Sequence, residues 1–286
     1  MEDVISRIYK KLNSSKETFL LLESNDIPLI WESKFGGMPY MLEKDMYPVT
    51  LDEGEPYEFL LQINFADLPK NDLFPSTGLI QFFLNHNYNY DKEDKPFIVK
   101  YIDNIEYDEK KIDFDIDDEY EINDFESDLE QEEDEDENDH MIDEEYKIIF
   151  EKALDEVNPS SLEWKSFSLQ LSKQLEPFKN KLEDYDKVVS SDGYIRDLSF
   201  IFENEDVEEV MYANKLLGYP ANPGKDIRFI NKKYQDYILL LQLNPDTEAY
   251  DNDDEISIEW FIHPNDLKNK NFDNVICSYF YDIDKI

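Results

Sequence analysis

One cysteine, Cys277, stands among 286 residues, so no disulfide can close within the chain and no multi-cysteine metal site can form. Glycine is scarce as well. None of the seven glycines falls in a Gly-x-Gly-x-x-Gly arrangement. The Gly224-Lys225 step lacks the upstream glycine and the following Ser or Thr of a phosphate-cradling loop. No Gly-x-Ser-x-Gly elbow and no His-Glu-x-x-His pair is present. No apolar run approaches the roughly 20 residues that cross a bilayer, and residues 1–25 lack the basic-then-apolar layout of an export signal. The expected setting is therefore reducing and cytoplasmic, and Cys277, within the apolar stretch NVICSYF, is expected to be a buried, inert thiol.

Positive charge is the largest shortage. Lys and Arg number 28 against 69 Asp and Glu, for a net charge of −41. A field of that sign repels phosphate backbones and anionic lipid, which disfavours nucleic acid and membranes as partners. It is compatible with a basic protein partner or a divalent cation, and also with solubility alone. The supply of core material is ample, at 41% apolar and 14% aromatic residues.

Along the chain, Val4, Ile5, Ile8, Tyr9 and Leu12 recur at helical spacing, so residues 1–25 are read as an N-terminal helix. Residues 26–102 change to short apolar runs between Gly, Pro and Asp (PLIWES, YEFLLQINF, LIQFFL, FIVKYI), the texture of a first β-rich region. Residues 103–213 form an acidic and helical middle section. There KIDFDIDDEYEI at 111–122 alternates like an exposed strand, and the like-charge run ESDLEQEEDEDENDH at 126–140 predicts a mobile insertion. Ile142, Tyr146, Ile149, Phe150, Ala153, Leu154 and Val157 trace one helical face that Asn158-Pro159 would end. Further helical patterns run through LEWKSFSLQLSKQLEPF and through EDVEEVMYANKLLG, where Gly218 would cap the helix. Residues 214–286 return to strand texture.

The two β-rich regions share three ordered landmarks. Gly37-Met38-Pro39 aligns with Gly218-Tyr219-Pro220, Leu60-Leu61-Gln62-Ile63-Asn64 with Leu240-Leu241-Gln242-Leu243-Asn244, and Gln81-Phe82-Phe83-Leu84 with Glu259-Trp260-Phe261-Ile262. Proline to glutamine spans 23 positions in the first and 22 in the second, and glutamine to the next landmark spans 19 and 17. The expected fold is α+β, mainly β, an internal duplication whose predominantly antiparallel strands pair into one core with flanking helices. A glutamine inside such a strand must be hydrogen-bonded if buried. Gln62 and Gln242 therefore either bond neighbouring backbone or face each other across a cleft and bind a ligand.

The stretches SKFGGMPYM, EPYEFLLQINFADLP, LIQFFL, LGYP, LLLQLNPD and EWFIHPNDLKNKNFDNV resemble the YwqG-like family, a bacterial group of unknown function. The likeness covers the two β-rich regions, about half the chain. Departures are specific: Tyr47-Pro48 stands for the family's Trp-Pro, Gly224 for a glutamine and Ile227 for a proline, while Asp226 and Arg228 match. Of a late Trp-Gly-Asp step Asp254 remains. The resemblance implies one duplicated, mainly β domain and brings no activity with it.

Candidate chemistry is sparse. His86 and His263 each follow an aromatic strand, without the spacing of a metal pair. The segment DEDENDHMIDEE at 134–145 places Asp134, Asp136, Asn138 and Glu145 at calcium-loop positions, but Asp139 stands where that loop needs glycine. Asp251, Asp253 and Asp254, in an acidic loop with Asp246, Glu248 and Glu255, form either a solvated turn or a weak divalent-cation site. Arginine occurs three times, and Arg228 either bonds Asp226 in bidentate fashion or clamps an acidic ligand. No cofactor is expected. The function expected is a non-catalytic interaction protein for a basic partner, with an immunity-type toxin neutraliser as one version. The alternative is an enzyme or small-molecule binder using Gln62, Asn64, Gln242, Asn244, Asp226 and Arg228 around a cleft.

Overall fold

The computed structural model describes residues 2–12, 15–42, 47–51, 54–85, 95–108, 112, 145–181, 185–195, 205–222, 226–244, 246–247, 250–251 and 257–278. A first helix, α1 (Glu2–Leu12), leads into strand β1 (Lys16–Ser24), followed by β2 (Lys34–Phe35), β3 (Glu58–Asn64), β4 (Leu79–Leu84) and β5 (Phe97–Ile102). After β6 (Tyr146–Asp155) come helix α2 (Trp164–Leu175), a helix at Glu205–Tyr212 and strand β7 (Lys215–Leu217). Then follow a one-turn helix Ile227–Ile230, strands β8 (Ile238–Leu243), β9 (Asp246–Thr247), β10 (Tyr250–Asp251) and β11 (Ile258–Ile262), and β12 (Ile276–Cys277).

Ten of these strands form one sheet in the order β12-β11-β8-β7-β1-β6-β2-β3-β4-β5, and every adjacent pair is antiparallel. The architecture is thus mainly β. Its centre is the long β1–β6 ladder, running in register from Lys16↔Asp155 to Ser24↔Lys147. The sheet curls until its ends approach. Tyr101 on β5 meets Phe272, just before β12, with ring centroids 5.2 Å apart, and Lys270 pairs with Asp103. Inside this nearly closed, barrel-like sheet Phe82 and Trp260 meet edge-on at 5.4 Å, with Phe19, Leu21, Phe35, Leu61 and Leu241 in the same cluster. Each such buried side chain contributes about 1.5–3 kcal/mol, which explains why β4 and β11 carry no exposed residue at all.

A second cluster lies where α1 packs on α2. Tyr9 meets Phe167 edge-on at 5.2 Å, with Leu171, Leu175, Val157 and Tyr219 around them. The helical spacing of Ile8, Tyr9 and Leu12 is what turns that stripe toward α2.

Four expectations need correction. The segment read as a helix over 142–157 contains β6: Tyr146, Ile148 and Phe150 alternate onto the core, whereas Ile149 and Leu154 are exposed. Period two wins because β1 supplies nine consecutive ladder partners. The N-terminal helix ends at Leu12, and the second half of residues 1–25 is β1. PLIWES is irregular up to β2, and Gly218 follows β7 rather than a helix, at φ +84°. The alternating segment 111–122, apart from Ile112, and the acidic run 126–140 lie outside the described residues.

Candidate functional site

Gln62 sits on β3, fully buried, opposite Lys34 on β2 and Gln81 on β4. Its Oε1 accepts from the Tyr40 N–H at 2.8 Å, and its Nε2 donates to the carbonyls of Ile30 at 2.7 Å and Glu32 at 2.8 Å. Gln81 Nε2 donates to the Tyr40 carbonyl at 2.8 Å and to Gln62 Oε1 at 3.3 Å. Two residues along β3, Asn64 donates from Nδ2 to the Trp31 carbonyl at 2.9 Å and accepts from the Ala66 N–H at 3.0 Å. These amides supply, from side chains, the partners that the carbonyls of the irregular backbone at 30–32 do not find in a ladder.

The second half repeats the arrangement. Gln242 on β8, also fully buried, accepts at Oε1 from the Ala221 N–H at 3.0 Å and donates from Nε2 to the carbonyls of Met211 and Ala213, both at 3.0 Å. Asn244 donates from Nδ2 to the Tyr212 carbonyl and from its N–H to Asn214 Oδ1. Opposite Gln242 lies Glu259, where the first half has Gln81. Glu259 Oε1 accepts from the N–H groups of Ala221 at 2.8 Å and Asn222 at 3.0 Å, whereas its buried Oε2 has no hydrogen-bond partner among the described residues.

Each half also buries a lysine three residues before the landmark glycine. Lys34 Nζ donates to Glu145 at 2.6 Å. Lys215, wholly buried, donates to Asp155 Oδ2 at 2.8 Å and to the carbonyls of Met211 at 2.8 Å and Val210 at 3.1 Å. Burial pushes the Lys215 ammonium down and the Asp155 carboxyl up, and their contact opposes both. Asp155 Oδ2 further accepts from the Tyr219 N–H at 2.7 Å, so the chain crosses directly over it at Gly218. A Cβ at Gly218 would overlap that carboxylate.

Asp226 and Arg228 do come together, in a four-membered charge network. Asp226 caps the helix Ile227–Ile230 by accepting from the Arg228 N–H at 3.0 Å, and Arg228 returns Nε at 2.9 Å and Nη2 at 2.6 Å to the same carboxylate. The outer edge of the guanidinium reaches Glu163 at 3.1 and 3.2 Å, and Lys16 reaches Glu163 at 2.6 Å. Burial raises the Glu163 carboxyl, but Arg228 and Lys16 outweigh it and hold it below the usual range. Lys16 also lies 4.1 Å above the Tyr219 ring.

Asp251 belongs to β10, paired with Asp246, while Asp253 and Asp254 lie outside the described residues, as does His86. His263 accepts at Nδ1 from the Asn265 N–H at 3.1 Å. Among the described residues no three His, Cys, Asp or Glu side chains gather in a metal-holding group. An open depression of about 550 Å3 lies apart from the glutamines, between the end of α2 and residues 185–193, lined by Lys173, Lys179, Tyr185 and Asp186. Lys34, Lys215, Asp155 and Glu163 were not singled out from sequence, and Glu259 only as the residue aligned with Gln81. The offset Lys-x-x-Gly-x-Pro, present at both 34–39 and 215–220, is the signal that could have exposed the two lysines.

The model of a domain of unknown function, DUF1963, matches residues 33–280, which is most of the chain. The chain belongs to the DUF1963 family. No curated protein matches it. The DUF1963 match spans both glutamine clusters, both buried lysines and the Asp226–Arg228 pair, but begins after β1, the strand at the centre of the sheet.

Proposed function

We propose that this DUF1963 protein is a non-catalytic interaction protein whose acidic surface engages a basic protein partner. The observation that carries the reading is how the interior polar groups are used. Gln62, Asn64, Gln242 and Asn244 are bonded to the protein's own backbone, and Arg228 to its own carboxylates. The excess of acid, −41 in all, is then the property left to act on other molecules. The setting proposed is cytoplasmic, in keeping with a sequence that has a single cysteine, Cys277. Among the described residues no helix is long and apolar enough to cross a membrane. An immunity-type role, neutralising a basic toxin, is the specific form proposed, and a YwqG-like subgroup is the specific place within the family.

Affinity capture from lysate at low and moderate salt, followed by association kinetics with the captured protein, tests this. A basic partner should bind with an association rate that falls steeply above about 0.15 M salt, where the Debye length is about 8 Å. A partner set without basic proteins, or an association rate indifferent to salt, would refute it.

We also infer that the fold arose by internal duplication. In support, the strand order is symmetric about the β1–β6 pair, and Gln62 and Gln242 make corresponding bonds. Relatives whose sequences carry the Gly-x-Pro and Gln-x-Asn marks in one half alone would count against it.

A further inference from the structure

We propose that Glu259 is a proton-linked latch: protonated, it lies neutral and buried beneath residues 219–222, and on ionisation its uncompensated charge loosens them from β8 and β11 to reach water. Three geometric observations carry this. The carboxyl is fully buried, and Oε2 has no partner among the described residues. It occupies the ladder position across from Gln242 that Gln81 occupies across from Gln62. There Gln81 donates a hydrogen bond to Gln62 Oε1, and only a protonated Glu259 could offer the same to Gln242 Oε1. The two acceptors already share one donor, since the Ala221 N–H reaches both Glu259 Oε1 and Gln242 Oε1.

The charges around it favour the neutral form. Asp226 faces it from the cap of helix Ile227–Ile230 and repels a second carboxylate, with Arg228 held on Asp226. Lys215, from β7, attracts it, but its ammonium is bonded to Asp155 on β6 and to two carbonyls. Burial is the largest influence and Asp226 adds to it, against the Ala221 and Asn222 N–H groups and Lys215, so the carboxyl is pushed up to about 7. A full negative charge would thus appear in the core close to neutrality, beside Asp226, and the irregular backbone touching it is the chain at Ala221 and Asn222.

The experiment pairs Glu259→Gln with wild type. Carbon-13 NMR of side-chain-labelled Glu should show one carboxyl titrating near 7 that is absent from E259Q. Amide exchange at Ala221 and Asn222, corrected for intrinsic pH dependence, should rise at least fivefold from pH 6 to pH 8 in wild type and stay flat in E259Q. Gln81→Glu should install a second such carboxyl in the first half. Titration of Glu259 near its ordinary 4.5 would overturn the proposal, as would the same exchange profile in wild type and E259Q. The wild-type titration decides the matter even if E259Q does not fold.

Discussion

Lys215→Met is the most informative single perturbation of this fold. The ammonium has no exposed surface and holds Asp155 together with the Val210 and Met211 carbonyls. Removing it leaves the Asp155 carboxylate buried and still accepting from the Tyr219 N–H, and takes the lysine away from the Val210 carbonyl. Breaking one partner of a buried ion pair costs about 3–5 kcal/mol, because the other charge stays uncompensated. Asp155→Asn leaves the cation stranded instead, at a similar cost, while an amide oxygen can still accept from Tyr219. In the double variant Lys215→Met/Asp155→Asn no buried charge remains at the pair. Its cost should fall below the sum of the singles by about 2 kcal/mol or more. Urea unfolding reads this as midpoints at constant slope. Glu17–Lys152, whose side chains are 41% and 47% exposed, is the control, and Lys152→Met should cost under about 1 kcal/mol. Costs that add to within about 0.5 kcal/mol would refute the coupling, and a Lys215→Met cost equal to the surface control would refute the buried-charge argument.

Gln62→Leu strands the Tyr40 N–H and the Ile30 and Glu32 carbonyls, so it should cost about 2–5 kcal/mol in chemical denaturation, with Gln242→Leu in the same range. Gly218→Ala meets both φ +84° and the Asp155 carboxylate and should cost on the order of 3 kcal/mol, against about 1 for Gly54→Ala, which at φ +72° has open space around its Cβ. Thermal melts separate the two. Arg228→Lys loses the fork that spans Asp226 and Glu163 and should cost about 1–3 kcal/mol by the same melts. For Glu259, the folded value lies above the ordinary 4.5, so the folded chain holds that proton more tightly than the unfolded one. Its contribution to stability is therefore intact below pH 4.5 and is lost as pH rises through 7, by about 3 kcal/mol. The wild-type minus E259Q difference in urea midpoint between pH 5 and pH 8 measures it.

Strands β3, β4, β5, β8 and β11 were legible because each is a short apolar run bounded by turn residues. β1 and β6 were not, and for one reason. Their identity depends on each other: FLLLE is apolar at consecutive positions, so it carries neither period two nor period 3.6, and Tyr146, Ile149 and Phe150 fit a helix as readily as Tyr146, Ile148 and Phe150 fit a strand. What decides is a nine-residue ladder between segments more than a hundred residues apart, which no local pattern encodes. The glutamines were legible as polar residues needing partners. Their partners are carbonyls of irregular backbone, whose positions follow from the assembled sheet. Glu259 was visible in sequence only as an acid aligned with Gln81; its burial beside Asp226 is a tertiary fact.

The position of β1 and β6 also explains why the two halves depend on each other. β1 is followed in sequence by β2, yet its ladder partners are β6 and β7, both from the second half. β6 in turn pairs with β2, from the first. Each half therefore pairs its leading strand with the other, and separating them would leave β2 and β7 as short edges, each paired on one side alone, beside buried charge at Lys34 and Lys215. The shared Leu-Leu-Gln-x-Asn text has its physical sense in this exchange. One strand away from each borrowed edge, Gln62 and Gln242 bind the irregular segments that lead into β2 and β7, through Glu32 on one side and Ala213 on the other. The two amides thus fix where the exchanged strands enter the sheet, which is a role that a leucine at either position could not fill.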